Sequence, residues 1–173
     1  MIRLMTMAGA ALALAACTPN GGGTASAGSE AAMAGETIRY ETGRCFGTCP
    51  VYSVTVRPDG TGSFEGKQFT AVTGSRDFTL TPAQYRAFAD RLAPYRPAQG
   101  EQRYEPGSAL CPNPATDMPS ADVTWSDGAE GTHHLYYYYG CAMGEGQDMR
   151  TAVRTAPELL PIGAFIGERA AGR

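Results

Sequence analysis

An α+β domain, with one antiparallel β-sheet of about five to six strands and two helices packed on one of its faces, is the fold the sequence predicts. Three observations carry it. Short segments alternate apolar and polar residues at the period of two that marks half-buried strands. Pro58-Asp59-Gly60 and Asp127-Gly128 stand between such segments as tight-turn signals, so neighbouring strands pair as antiparallel hairpins. A capped helical stretch follows the first group of strands and a second follows the last, and one sheet face can hold both.

Thr37 to Thr42 places Ile38 and Tyr40 on one side and Arg39 and Glu41 on the other. Val51 to Arg57 is β-branched and alternates, with Tyr52, Val54 and Val56 together; after the Pro-Asp-Gly turn, Thr61 to Glu65 returns with Phe64 for the core. Arg76 to Leu80 reads as a further strand. Thr81 is then an N-cap, Pro82 takes the first helical position and Gln84 completes a capping box. Tyr85, Phe88, Ala89 and Leu92 form one helical stripe, and Pro94 ends it. Residues 95–120 contain Pro97, Pro106, Pro112, Pro114 and Pro119 and read as one long loop. Ala121 to Ser126 and Thr132 to Tyr139 read as a second hairpin. A helix over about Asp148 to Ala156 turns Met149, Ala152, Val153 and Ala156 inward. Leu159, Leu160, Ile162 and Phe165 close the core.

The organisation before this domain is a matter of address. Arg3 precedes an apolar stretch, Leu4 to Ala16, that is too short to span a bilayer and ends in Leu14-Ala15-Ala16-Cys17. That run resembles the bacterial lipobox, which implies a signal peptide over residues 1–16 and an acylated Cys17 as the first mature residue. Residues 17–35 are small and flexible and read as a tether; the folded domain is expected over 36–166, with a tail over 167–173. Thr18, where enteric bacteria place a retention aspartate, favours the outer membrane. The expected protein is exported and held by lipid, facing the periplasm. The formal charge of −3 becomes −4 once Arg3 is removed with the signal. With no basic stripe, nucleic acid is excluded as a partner.

Four cysteines remain for the domain: Cys45, Cys49, Cys111 and Cys141. An even count in an exported chain favours disulfides, and four allow three pairings. Cys45–Cys49 with Cys111–Cys141 is preferred, because a bridge from Cys111 to Cys141 would pin the long proline-rich loop to the end of the tyrosine-rich strand.

Arg44-Cys45-Phe46-Gly47-Thr48-Cys49-Pro50-Val51-Tyr52 is the most distinctive segment. It resembles an uncharacterised family of bacterial exported domains, many on lipoproteins, marked by a Cys-Phe-Gly-x-Cys-Pro run leading into a strand. Asp59-Gly60, Thr116-Asp117-x-Pro119 and Tyr139-Gly140 resemble it too. The resemblance implies a domain of unknown function over roughly residues 36–166 and supplies no activity.

Cys45 and Cys49 have three readings: a short structural bridge, a thiol redox pair, or a copper site. The spacing Cys-x-x-x-Cys-Pro also occurs in Sco-type copper chaperones, and two thiolates with His133 (or His134) would suit that soft cation. Against it, the Sco motif sits on a thioredoxin fold, whereas Val51 to Val56 reads as a strand. His133 and His134 are adjacent in a strand and must point to opposite faces. Leu135, Tyr137 and Tyr139 share the face of His133; Tyr136 and Tyr138 share that of His134. One face is core. The other, with His134, Tyr136 and Tyr138, is either covered by neighbouring side chains or an aromatic strip for an envelope protein or glycan. No Gly-x-Ser-x-Gly elbow, His-Glu-x-x-His, phosphate loop or haem-attachment pair is present. The expectation is a lipid-anchored envelope protein that acts as a non-catalytic binding module and needs no cofactor. The alternative is a periplasmic thiol-redox or copper protein.

Overall fold

A computed structural model describes residues 35–126, 131–141 and 147–167. The signal sequence, Cys17, nearly all of the tether, the Asp127-Gly128 turn and the tail beyond residue 167 lie outside the described residues. The strands are β1 (Thr37–Thr42), β2 (Val51–Val56), β3 (Thr61–Gln68), β4 (Gly74–Thr79), β5 (Glu101–Tyr104), β6 (Ser120–Ser126) and β7 (Thr132–Tyr138). The helices are α1 (Pro82–Leu92), α2 (Gln147–Thr155) and α3 (Gly163–Ile166), with 3₁₀ turns at Ala93–Tyr95 and Ala156–Leu159. The class is α+β, built on a single sheet in the order β4-β3-β2-β1-β6-β7-β5.

Four expectations need correction. The sheet has seven strands, and it is mixed: β5 runs parallel to β7, with Glu101 opposite His134 and Tyr104 opposite Tyr137. The proline-rich segment therefore holds a strand where a continuous loop was expected. The cause is the route of the chain. β4 ends at one edge of the sheet, and α1 and the turn after it carry the chain across to the opposite edge, where it enters beside β7 in the same direction. A third helix, α3, lies within the closing apolar segment.

The local causes are visible in each element. At the β2–β3 turn, Asp59 Oδ1 accepts from the Thr61 backbone N–H at 2.8 Å, and Gly60 takes φ 83°, a left-handed conformation that glycine adopts without a Cβ clash. At α1 the capping box forms: Thr81 Oγ1 accepts from the Gln84 N–H at 3.2 Å, and Gln84 Oε1 accepts from the Thr81 N–H at 2.9 Å. Arg91 donates to Thr155 Oγ1 at 2.8 Å and joins the first helix to the second.

Alternation sorts the sheet as expected. Ile38, Tyr40, Val54, Val56, Phe64, Val123, Trp125, Leu135 and Tyr137 are buried on the face that meets the helices. Tyr85, Phe88 and Leu92 of α1 and Met149 and Val153 of α2 close over them. Each large side chain buried in this way contributes about 1.5–3 kcal/mol. Phe165 of α3 packs on Phe64 and Phe78 with ring centroids 5.5 and 6.5 Å apart.

The capping box has a measurable consequence. Thr81→Ala removes the acceptor for an otherwise unsatisfied helix N–H and is expected to cost about 1 kcal/mol. Urea unfolding checks this, with a lower midpoint and an unchanged m-value as the expected result.

Candidate functional site

A concavity lies between one end of the sheet, the β1–β2 loop and α2. Its volume is about 510 Å³, within the range of small-molecule sites. Tyr40 of β1, Tyr52 of β2 and Tyr139, just past β7, supply phenols from the core face of the sheet. The Cys45–Cys49 loop forms one wall, Met118, Pro119 and Ser120 another, and Arg150 and Arg154 of α2 a third.

The loop is held at both ends. Thr42 Oγ1 donates to the Pro50 carbonyl at 2.8 Å and accepts from the Tyr52 N–H at 3.0 Å. The Gly43 N–H donates to Ser120 O at 2.8 Å, and the Phe46 N–H donates to Asp117 O at 3.1 Å. A disulfide joins Cys45 to Cys49, with Cα atoms 5.8 Å apart. Gly47 turns the loop at φ 123°, where an L side chain would be strained. Phe46 stands at the tip, 87% exposed.

The opposite wall depends on the second bridge. Cys111 and Cys141 form a disulfide with Cα atoms 5.0 Å apart. It ties the proline-rich connection to the end of β7, as its spacing suggested. Beside it the Ala115 N–H donates to Gly140 O at 2.7 Å and the Tyr139 N–H donates to Pro119 O at 3.0 Å. Met118 and Pro119 reach the cleft through these contacts.

The phenols are held neutral. Burial, together with the neighbouring phenols of Tyr139 and Tyr52, pushes Tyr40 well above its ordinary value of 10. Tyr52 is raised by burial, by Tyr139 and by Glu158. Tyr139 is raised by burial, although its hydrogen bond with Tyr40 and the charges of Arg154 and Arg150 oppose the shift. The hydroxyls of Tyr40 and Tyr139 lie 3.4 Å apart. Among the described residues, the Tyr52 hydroxyl has no protein hydrogen-bond partner, and neither Arg150 nor Arg154 forms an ion pair.

The other residues singled out from the sequence lie elsewhere. His133 is buried on the core face, and its Nδ1–H donates to Pro97 O at 2.9 Å. It does not join Cys45 and Cys49: no group of three or more His, Cys, Asp or Glu side chains suited to a metal ion occurs among the described residues. His134, Tyr136 and Tyr138 share the opposite face, half-buried, and their own neighbours occupy them. His134 bridges Glu101 Oε1 at 2.9 Å and Asp122 Oδ1 at 2.8 Å. Arg103 lies 4.5 Å over the Tyr136 ring and is itself paired with Glu101 and Glu105. The Tyr138 hydroxyl accepts from the Met118 N–H at 3.2 Å. Sequence reasoning passed over Arg150 and Arg154. Their i, i+4 spacing beside the Met149–Ala152–Val153 stripe was the available signal.

Two expected outcomes follow from this geometry. On the chain-entropy relation, replacing Cys111 and Cys141 by Ala costs about 4 kcal/mol, and the same change at Cys45 and Cys49 about 2 kcal/mol, because the first bridge closes the longer loop. Denaturant midpoints of the two double variants check the order. For the phenols, the unfolded chain ionises near pH 10 while the folded chain resists, since the folded values are raised. Stability is thus fully present below pH 10 and is lost as pH rises beyond it, by up to about 1.4 kcal/mol per pH unit for each such phenol. Unfolding midpoints between pH 8 and 12, followed alongside phenolate absorbance, should show ionisation of the buried tyrosines arriving with unfolding.

No helix among the described residues is long and apolar enough to cross a membrane. No curated protein matches the chain at a significant level. A family model described as Domain of unknown function (DUF6438) matches residues 36–159. The chain belongs to this uncharacterised family.

Proposed function

We propose that this protein is a lipid-anchored binding module of the cell envelope, and that its ligand occupies the tyrosine cleft beneath the Cys45–Cys49 loop. Lipidation at Cys17 and a position facing the periplasm, with the outer membrane preferred, follow from the lipobox-like run and from Thr18. Two disulfides accord with an oxidising compartment.

One observation carries the choice of site. The cleft gathers three phenols from separate strands under a cross-linked loop, and it leaves the Tyr52 hydroxyl and both arginines without a protein partner among the described residues. Polar groups that border a recess and are left unpaired by the fold are available to orient a small ligand. The strip of His134, Tyr136 and Tyr138 supports binding less well, because Arg103, Glu101, Asp122 and the Met118 N–H already engage it. The module is read as non-catalytic. Among the described residues no nucleophile–base pair is drawn together in the cleft, and burial holds the phenols of Tyr52 and Tyr139 neutral.

A panel of small aromatic and aliphatic fragments, titrated into isotopically labelled protein and followed by amide chemical shifts, tests this reading. Fragments should shift the amides of residues 45–49, Met118 and Ser120, and Thr48→Trp, placed in the wall of the cleft, should abolish those shifts. Shifts confined to the β6–β7 face around Tyr136, or no shifts at the cleft at all, would overturn it.

A further inference from the structure

Taking the cleft as the binding site proposed above, we infer that its ligand carries an anionic head group, a carboxylate or a phosphoryl group, on an apolar stem, and that Arg150 and Arg154 receive the head.

The charge of the lining comes first. Arg150 and Arg154 are cations, and among the described residues no Asp, Glu or Lys lines the cleft. This local excess of positive charge stands on a chain whose formal net charge is −3. Glu158 is near enough to raise the Tyr52 phenol but is not part of the wall. Arg150 and Arg154 lie four residues apart on α2, so both guanidinium groups leave one side of the helix. Like charges at this spacing repel each other. Among the described residues no carboxylate forms an ion pair with either arginine. By contrast, Arg103 is paired with both Glu101 and Glu105.

Hydrogen-bonding capacity agrees. A neutral phenol can donate, and a guanidinium can only donate. Burial keeps the phenols of Tyr52 and Tyr139 protonated, so the floor and the α2 wall together present donors to the ligand. Such a set suits an acceptor-rich anion and leaves a cationic head without a counter-charge. Phe46, Pro50, Met118, Pro119 and the disulfide supply apolar surface beside the hydroxyls of Thr42, Thr48 and Ser120. The exposed Phe46 ring stands beside the mouth, where it can cover a stem longer than the cleft.

The test uses matched neutral and anionic probes with one ring in common: benzyl alcohol, benzoate and phenylphosphonate. Each is titrated into the labelled protein at pH 7, with the Gly47 and Arg154 amide shifts as the readout. The anionic probes should bind about tenfold more tightly than benzyl alcohol or better, as charge-assisted hydrogen bonds require. The preference should disappear in the double variant Arg150→Gln, Arg154→Gln, whose thermal midpoint should be no lower than that of the parent. A lead for benzoate points to a carboxylate ligand and a lead for phenylphosphonate to a phosphoryl one; either supports the inference. Equal binding of neutral and anionic probes to the unaltered protein overturns the anion inference and leaves the cleft as the site. An anion preference that persists in the double Gln variant removes the arginines from it. Failure of all three probes, together with the whole fragment panel, to shift cleft residues removes the binding reading itself. The comparison within the unaltered protein decides the charge question even where a variant folds poorly.

Discussion

The register of β1 is the constraint on which the rest of the structure depends. β1 pairs with β2 on one side and β6 on the other, and so joins the β4-β3-β2 meander to the β6-β7-β5 group. Ile38 sits opposite Val56 and Trp125 at once, and Tyr40 opposite Val54 and Val123. A slip of one residue would turn Arg39 and Glu41 into the core and Ile38 and Tyr40 out of it. Because both neighbours place large apolar residues at these positions, such a slip forfeits burial in both halves together. The same register delivers Tyr40 to the end of the sheet where Tyr52 and Tyr139 arrive, so the cleft inherits its floor from the folding pattern.

The two disulfides complete the recess from opposite sides. Neither is needed to define the sheet, whose ladders run without them. Cys45–Cys49 shapes a loop that Thr42 already clamps at its base, and Cys111–Cys141 brings a strandless run of prolines against the end of β7. Prolines stiffen that run and deprive it of backbone donors, which leaves it few hydrogen bonds with which to hold itself in place. The bridge and the bonds at Ala115 and Tyr139 supply the attachment. Rigid walls around a wet recess matter for recognition, since a preformed site spares a ligand the entropy of ordering it.

Much of this architecture was legible in the sequence. β1, β2, β6 and β7 announced themselves by alternation, and α1 by a capping box whose two hydrogen bonds both form. β5 was not legible, for a physical reason. Its four residues include Glu101 and Arg103, and an edge strand needs no apolar run: one ladder holds it, and its charges keep other chains from adding to its free side. Nothing local marks such a strand; it exists because α1 delivers the chain to the edge beside β7. The site was legible in part. The Cys45–Cys49 segment stood out by composition, and it does form a wall of the cleft. Tyr40 and Tyr52 read as ordinary core residues, which they also are. Only the fold shows that their hydroxyls reach the place where the helical cover ends and the α2 arginines begin.

The tyrosines of β7 show why residue type alone does not mark a binding surface. Tyr136 and Tyr138 lie on the face that looked available, yet a guanidinium covers one ring and a backbone amide uses the hydroxyl of the other. Tyr139 lies on the core face, only 6% exposed, yet it borders the cleft. What separates them is whether the polar end of the side chain has been claimed by the fold. Tyr136 and Tyr138 contribute to holding β5 and the proline-rich connection in place, since their partners come from those segments. At the cleft, the Tyr52 hydroxyl has no protein hydrogen-bond partner and the two α2 arginines form no ion pair within the described residues, while their like charges repel each other. A ligand that accepts hydrogen bonds and carries negative charge would engage the hydroxyl and offset that repulsion at one position.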